Sequence, residues 1–596
     1  MNVPKSPLDD SEGPVRVVLL SDGSALEDSI SLISVSVRCA VNKVPTATLV
    51  FSDGDMPQGQ FPLSDSAHLK PGAEIEIKAG YSDSESAIFS GIVIKYGLVI
   101  SGDNDARLVI ECRDKAVKMT VGRRTRQYVD QSDADILCAL VQAHGLSADV
   151  SGATLNHAEL VQYYCTDWDF LLARAEANGC LVIANDGKVS VGEPQTSGSA
   201  ALEVKYGESL IAFEAELDAQ HQYAEVQAQA WDAKTQALLE GAPAKATPLN
   251  SQGNLDSKAL AAVLDNAPVT LQTGAALPKT ALDRWAKAQQ LKSGLARLRG
   301  RMRFQGSALA KVGGLIDLAG VGERFSGSVF ATGVTHKIEQ GAWTTEVEFG
   351  APVEWFTERT DVVAPPAAGW VPGIEGLHVG VVLKLDGDPA GEHRVQIRLP
   401  AAGVECLWAR LAQFHASNAF GAFFLPEIGD EVLLGFLGND PACPVVLGSL
   451  YSSKRAPPLA LTAENKIKSI VTRCKAKLEF DDEDKIITIT TPGKNTVVLS
   501  DKDKSITLAD QNGNKVKLEP AGITMESPKD IKIDAKGAIT VSALGALTLS
   551  SKADAKVAGL NVACEAQIGL TAKGAATAEL SAGGQTTVKG AMVMIN

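Results

Sequence analysis

The chain has 596 residues, a formal net charge of −15 and 45% apolar content. At about 100–200 residues per domain it must hold several domains. Its acidic balance excludes a nucleic-acid binder, which needs clustered Lys and Arg to displace counterions. No apolar run reaches the roughly 18 residues of a membrane span.

The N-terminal stretch, 1–13, is polar and acidic and lacks the apolar heart of a signal peptide. Synthesis in the cytoplasm follows, with any export outside the general secretory route. Nine scattered cysteines form no CxxC, so they read as buried or bystander thiols. Of 31 aromatic residues, only Phe480 lies after Tyr451. The last 145 residues therefore cannot build a thick core around rings.

In chain order, 15–20, 31–38, 47–52, 74–79, 88–96 and 107–112 read as strands separated by turn chemistry such as Ser52-Asp53-Gly54-Asp55. Two helices follow. Asp133 to Gly145 places Ile136, Leu137, Leu140 and Val141 on one face, with Ser132 as N-cap. Thr166 to Gly179 does the same with Trp168, Leu171, Leu172 and Ala175. Asp167 and Asp169 suit the orphan N–H groups of that helix start. The arginines of 122–126 and 297–303 read as solvated or interface patches. From about 200 to 350 the chain returns to β, interrupted by an amphipathic helix from Thr280 to Arg299.

A Pro/Gly/Ala connector, 361–373, closes this region. Five short strands then fit into about 80 residues: 376–385, 394–399, 407–411, 431–436 and 444–450. That count suits an OB-like barrel. In Pro426-Glu-Ile-Gly-Asp430 the acidic groups are expected to bind backbone amides. Asp386-Gly-Asp388 reads as a turn.

From about 470 the chain is a repeat of apolar-x-apolar dyads: Ile487/Ile489, Val497/Leu499, Ile506/Leu508, Val516/Leu518, Ile523/Met525, Ile531/Ile533, Ile539/Val541, Leu547/Leu549, Leu560/Val562 and Ile568/Leu570. The step is eight residues from 523 to 547 and drifts between seven and thirteen elsewhere. One dyad per strand cannot make a core alone. Three chains wound together would bury the dyads on a common axis and leave no open strand edges. At about 4.8 Å per unit, some 16 units give a rod of roughly 75 Å. A run of hairpins in one sheet is the competing arrangement. It is disfavoured because two-residue hairpin turns are missing.

Three segments carry a family resemblance. Val161-Gln-Tyr-Tyr-Cys-Thr-Asp-Trp-Asp-Phe-Leu-Leu-Ala-Arg-Ala-Glu-Ala-Asn-Gly179 resembles the hub motif of VgrG and phage late-control D proteins. Phe424-Leu-Pro-Glu-Ile-Gly-Asp-Glu-Val-Leu-Leu-Gly-Phe436, with Arg394 to Pro400 and Asp440 to Tyr451, resembles the OB domain of VgrG and baseplate spikes. The dyad tail resembles their β-helix. Val41-Asn-Lys-Val-Pro-Thr-Ala and Ala116-Val-Lys-Met-Thr-Val-Gly-Arg look like the extracellular contractile injection subgroup.

The resemblance implies a mainly β chain: a 1–365 hub of β-barrel domains with a few helices, a 374–452 OB-fold collar, a 453–469 linker and a 470–596 intertwined trimeric β-helix. It implies a homotrimeric spike that caps the hexameric inner tube, meets baseplate proteins, carries cargo effectors and pierces the target cell envelope. The end Met592, Val593, Met594, Ile595 and Asn596 would seat a PAAR-repeat tip. The particle would act extracellularly or at the target membrane. Three copies would carry −45, three times −15, which aids solubility and opposes an anionic envelope.

No GxSxG, HExxH or GxxxxGK[ST] occurs. The eight histidines show no telling spacing to Cys or Asp. The expectation is a non-enzyme with no cofactor and no metal. The dozen residues after the barrel cannot hold a lysozyme, and no effector domain is expected beyond Asn596. The alternatives are a cell-wall-degrading spike with a hub active site, a type VI secretion VgrG or phage tail spike, and a receptor-binding fibre.

Overall fold

Strand periodicity in the first 113 residues is carried into hydrogen bonding almost residue for residue. Val15–Ser21, Leu32–Ala40, Thr46–Ser52, Glu74–Tyr81, Ser86–Ile100 and Ala106–Arg113 all form strands. Their alternate residues are buried, as in Thr46–Ser52, where Ala47, Leu49 and Phe51 are fully enclosed. The structure is a computed structural model. It describes residues 4–595 apart from Asp10, Asp28, Asp83, 103–104, Pro248 and 265–267. Of the chain, 39% is strand and 11% helix, so it is mainly β. It divides into two compact units, Met1–Leu450 and Tyr451–Asn596.

The first unit is organised by a 13-stranded sheet. Its seam joins two distant parts of the chain, for Gly327–Glu339 runs antiparallel to Leu32–Ala40 from Gly333↔Ala40 to Glu339↔Ser34. On one side of the seam lie Thr46–Ser52, Ala106–Arg113 and Ser86–Ile100. On the other lie Ala342–Phe349, Leu298–Gln305 and Leu210–Leu217. Beyond these, Glu74–Tyr81, Val15–Ser21 and Ser24–Ala25 extend the first side, and Leu315–Ala319 and Leu202–Lys205 branch from Gly327–Glu339 on the second, so with the seam strands seven stand on one side of the line and six on the other. Each side has its own core, and Ile338 and Trp343 from the second side belong to the core of the first.

Helices α1 (Asp133–Gln142) and α2 (Asp167–Ala177) start at Ser132 and Thr166. Each hydroxyl accepts the N–H three residues on. Gly145 and Gly179 follow them with φ of +70° and +71°. The two helices share a core that includes Ile136, Leu140, Trp168 and Leu171. A short helix α3 (Ser257–Ala261) precedes α4 (Lys279–Ala296). The last helix stops three residues short of the expected Arg299, because Leu298–Gln305 is already paired with strands on both sides. Its turn residues are outbid by sheet hydrogen bonds, which propensity cannot foresee.

The barrel closes in the order His378–Lys384, Val395–Leu399, Val404–Leu411, Pro444–Ser449, Glu431–Phe436. Val382, Ile397, Ala409, Val432 and Leu434 are fully buried in its core, with Val395, Leu399 and Val446 beside them. Gly429 donates to the Val382 carbonyl at 2.8 Å, and Asp430 accepts the Glu427 N–H at 2.8 Å. The Pro426–Asp430 motif is thus a turn that feeds a buried strand.

One buried group in the seam makes the hub acid-sensitive. His336 lies under Trp343 and bonds the Thr345 hydroxyl at 3.0 Å. Burial, with the Lys311 charge adding to it, drives the imidazole from its ordinary 6.5 down to about 3. The folded hub keeps it neutral while the unfolded chain protonates below 6.5. Its stability contribution is therefore complete above pH 6.5 and lost progressively as pH falls towards 3. At pH 5 the loss is about 2 kcal/mol. Urea midpoints at pH 7 and pH 5 should converge in a His336→Gln chain. An unchanged pH dependence would contradict this assignment.

Candidate functional site

The chemistry-bearing residues of the hub are consumed by the fold. Asp167 does not cap α2; Thr166 does, accepting the Asp169 N–H at 3.0 Å and donating to the Asp169 carboxylate at 2.6 Å. Asp167 instead sits buried at the centre of a cluster. Arg124 and His144 each reach it at 2.8 Å, Gln162 at 2.8 Å and Arg126 at 3.4 Å. Burial alone would raise its carboxyl. The bonds from Gln162 and His144 and the charges of Arg126 and Arg124 hold it below the usual range.

Asp133 is equally enclosed. It takes a two-pronged Arg174 at 2.9 and 2.8 Å, Asn178 at 2.6 Å and His157 at 3.1 Å. A third pair, His221 and Asp218, lies at 2.7 Å. Three histidines thus pair with aspartates; two of the partners lie more than 20 residues away, where no spacing announces them, and Asp218 is three residues from His221.

Members of both arginine runs are tied to the fold, while Arg301 and Arg303 stay exposed to solvent. Arg123 donates to the carbonyls of Tyr164, Asp361 and Val363. Buried Arg297 donates to those of Leu255 and Gln252, and Arg299 and Arg301 pair with Glu216 and Glu214. Asp388 accepts three backbone N–H groups and the Arg394 guanidinium, which holds its carboxyl well below the usual range. A hub cleft of about 200 Å³ contains Glu176, Glu348 and Glu354. Glu176 is taken by Lys292 and the Phe356 N–H, and Glu348 by Arg38. Burial pushes the thiols of Cys112 and Cys180 up to about 12.

The second unit presents the opposite situation: ordered apolar side chains with nothing over them. Seven strands from Ile467–Val471 to Gly522–Glu526 pair in sequence order, each antiparallel to the next. The competing hairpin arrangement therefore holds within one chain for 467–526, and the dyads there are opposite neighbours across hairpins. The first five connections are four or five residues long and the sixth, Pro520-Ala521, is two; Lys475, Lys485, Lys494 and Lys504 occupy the left-handed position near the end of the first four, with φ between +48° and +70°, and Gly513 that of the fifth. Longer loops of this kind usually carry glycine there. Lysine hides the signal that a search for Asn-Gly or Asp-Gly would find.

Register aligns the dyads into two columns on one face. One runs Ile470, Leu478, Ile489, Val497, Leu508, Val516, Met525. The other runs Phe480, Ile487, Leu499, Ile506, Leu518, Ile523. The row between them on the opposite face runs Ser469, Glu479, Thr488, Val498, Thr507, Lys517, Thr524 and is polar at all but Val498. Ten of the thirteen ladder residues are between 37% and 72% exposed. A continuous apolar ladder of this length is a surface that demands a cover.

Beyond Glu526 the period changes. The backbone bends at 528–529, 536–537, 544–545, 552–553, 560–561, 567–568, 575–576, 583–584 and 591–592, a step of eight with a single seven. Between bends the described residues form no ladder within the chain, and their dyads, from Ile531/Ile533 to Ile568/Leu570, are exposed. Extended segments with both edges unpaired need other strands beside them. Met592, Val593, Met594 and Ile595 are 49–92% exposed, and Asn596 lies outside the described residues.

The charge is not spread along the chain. Eighteen basic and sixteen acidic residues follow Ala463, so the tail carries +2 and the first 463 residues carry −17. The net negative charge is therefore a property of the first 463 residues, not of the tail.

Three families match the chain. Residues 11–340, more than half of it, match the Alg8 N-terminal domain. Residues 378–451 match the type VI secretion system/phage-baseplate injector OB domain, and 486–548 the phage baseplate V C-terminal trimerisation domain. Among curated relatives, the actin cross-linking toxin VgrG1 of Vibrio cholerae is 32% identical over 17% of this chain and 10% of its own length. The type VI secretion system spike protein VgrG5 of Pseudomonas aeruginosa is 40% identical over 11% of this chain and 8% of its own. The chain thus spans a tenth or less of these relatives' length. A 43 kDa prophage tail protein of Shewanella oneidensis has a TM-score of 0.43 at 10% identity, covering 57% of this chain and 99% of that one. By its first half the chain belongs to the Alg8 N-terminal domain family, and by its injector barrel and trimerisation segment it is a spike of the VgrG and phage-baseplate type.

Proposed function

We propose that three copies of this chain form the central spike of a contractile injection machine of the extracellular type. The hub would cap the hexameric inner tube and meet the baseplate. The OB barrels would form a collar, and the tails would wind into a rod that pierces the target cell envelope when the sheath contracts. The apolar end Met592–Ile595, with Asn596, would seat a PAAR-type tip. The chain would be made in the cytoplasm and act outside the cell that built it. Any cargo or enzymatic activity would belong to another chain.

The observation that carries this reading is the exposed two-column ladder, continued by an octad tail whose strands lack partners in their own chain. Three such ladders facing one axis bury each other, and three octad tails supply the missing strands. Dyads of Ile, Val and Leu fit so narrow an axis, which accounts for the absence of rings after Phe480. The division of the hub sheet about its seam into two parts, each with its own core, supports the tube-capping role. Three copies would then present six similar halves to a sixfold tube.

Sedimentation equilibrium of the purified chain is expected to return three times its 62.5 kDa. A monomer would overturn the reading. Particles assembled without this chain should deliver nothing, and the purified trimer should release no peptidoglycan fragments. Measurable turnover would contradict the non-enzymatic assignment.

A further inference from the structure

The barrel carries a second unpartnered surface, unrelated to the ladder. Between Leu411 and Pro426 the chain leaves the barrel as a β-hairpin. Ala412 still donates to Val446 at 2.9 Å, but from there the hairpin pairs only with itself. Ala416 opposes Gly421, Ser417 opposes Phe420, and Gln413 donates to the Phe424 carbonyl at 2.8 Å. The sequence of 412–425 contains no Asp, Glu, Lys or Arg in a chain that is 21% charged. Phe414 is 86% and Phe423 83% exposed, and Phe420 and Phe424 are also open to solvent. An isolated two-stranded hairpin is marginal in water, and four uncovered rings make this one more so.

The same barrel holds a matching seat. Leu377, ahead of the first barrel strand, and Leu447, in the last, both come within 4 Å of the place where a Cβ on Gly435 would stand. The missing side chain leaves a shallow apolar floor between them. Exposed Val379 and Leu437 flank it.

We infer that the 412–425 hairpin of one copy clasps the Leu377–Gly435–Leu447 seat of the neighbouring copy. This rests on the trimeric reading above. Each copy offers one arm and one seat on different surfaces, so the contact is head-to-tail, and three such contacts around a rotation axis close a ring. At most 17 residues separate the last barrel strand from the first ladder strand. Copies joined by their ladders therefore hold their barrels at a high effective concentration, and an apolar arm of modest area suffices. The lack of charge in both arm and seat favours a copy of this chain over an acidic or basic partner.

The test uses the full chain with a photo-crosslinking phenylalanine analogue at position 423, prepared as a mixture of isotope-labelled and unlabelled copies. Irradiation is expected to join position 423 to peptides containing Leu377 or Leu447, in mixed labelled and unlabelled pairs. Separately, Phe414→Ser with Phe423→Ser, or Leu447→Lys alone, should leave a trimer but speed subunit exchange at least tenfold. All three positions are solvent-facing, so these chains should fold. A trimer whose crosslinks stay within one copy, fall elsewhere or reach only another protein overturns the clasp and spares the trimer. A monomeric chain overturns both.

Discussion

A chain carrying Leu499→Lys and Leu508→Lys is expected to sediment as a monomer at micromolar concentration. The two residues sit on adjacent strands, one in each column of the ladder, and are 41% and 45% exposed within a single copy. Lysine is tolerated there as long as the copy stays alone. In a trimer, six ammonium groups would enter an apolar axis without partners, at an effective cost of several kcal/mol per buried ion. Each lost leucine forfeits about 1.5–3 kcal/mol of burial besides. Lysines at Thr488 and Thr507, on the opposite face of the same sheet, are the control and should leave the trimer intact. If both double substitutions behave alike, the ladder is not the contact surface.

The second large effect concerns the hub seam. Trp343 is almost wholly buried, stacks on Tyr81 at 5.4 Å between ring centres and joins the second half of the hub to the core of the first. Trp343→Ala should lower the unfolding free energy of the hub by about 3–5 kcal/mol. Gly306 is part of the same joint: a Cβ there would come within 2.1 Å of the Trp343 ring. Gly306→Ala alone should cost about 1–3 kcal/mol through overpacking. In the double substitution the methyl enters the space the indole leaves, so the two effects should sum to less than their separate values. Chemical denaturation of the four chains gives the cycle, and simple additivity would contradict the contact.

Much of this was legible residue by residue. Strand positions in the hub and barrel followed from alternation, because burial of every second side chain is a local pattern that survives any pairing. Ser132, Gly145 and Gly179 marked helix ends for equally local reasons. The dyads of the tail were visible too, but their two regimes were not. Dyad steps of seven to ten residues within 487–525 come from hairpin loops, and the step of eight beyond 528 comes from backbone bends. Both present apolar residues two apart, and lysine at the left-handed loop positions erased the usual hairpin signature.

From its sequence alone the chain is determined as mainly β, with a barrel segment of the injector type, a ring-poor repeating tail and family motifs in a recognisable order. These depend on composition, period and short motifs, all of which act over a few residues. The tertiary structure decided what lies hundreds of residues apart or across faces. It set Gly327–Glu339 against Leu32–Ala40, gathered Arg124, Arg126 and His144 around Asp167, and buried Arg297 against the carbonyls of Leu255 and Gln252. It also left the ladder and the 412–425 arm uncovered. Pairing partners and exposed faces are set by how the whole chain minimises unpaired backbone and wet apolar surface at once, and no local stretch carries that information.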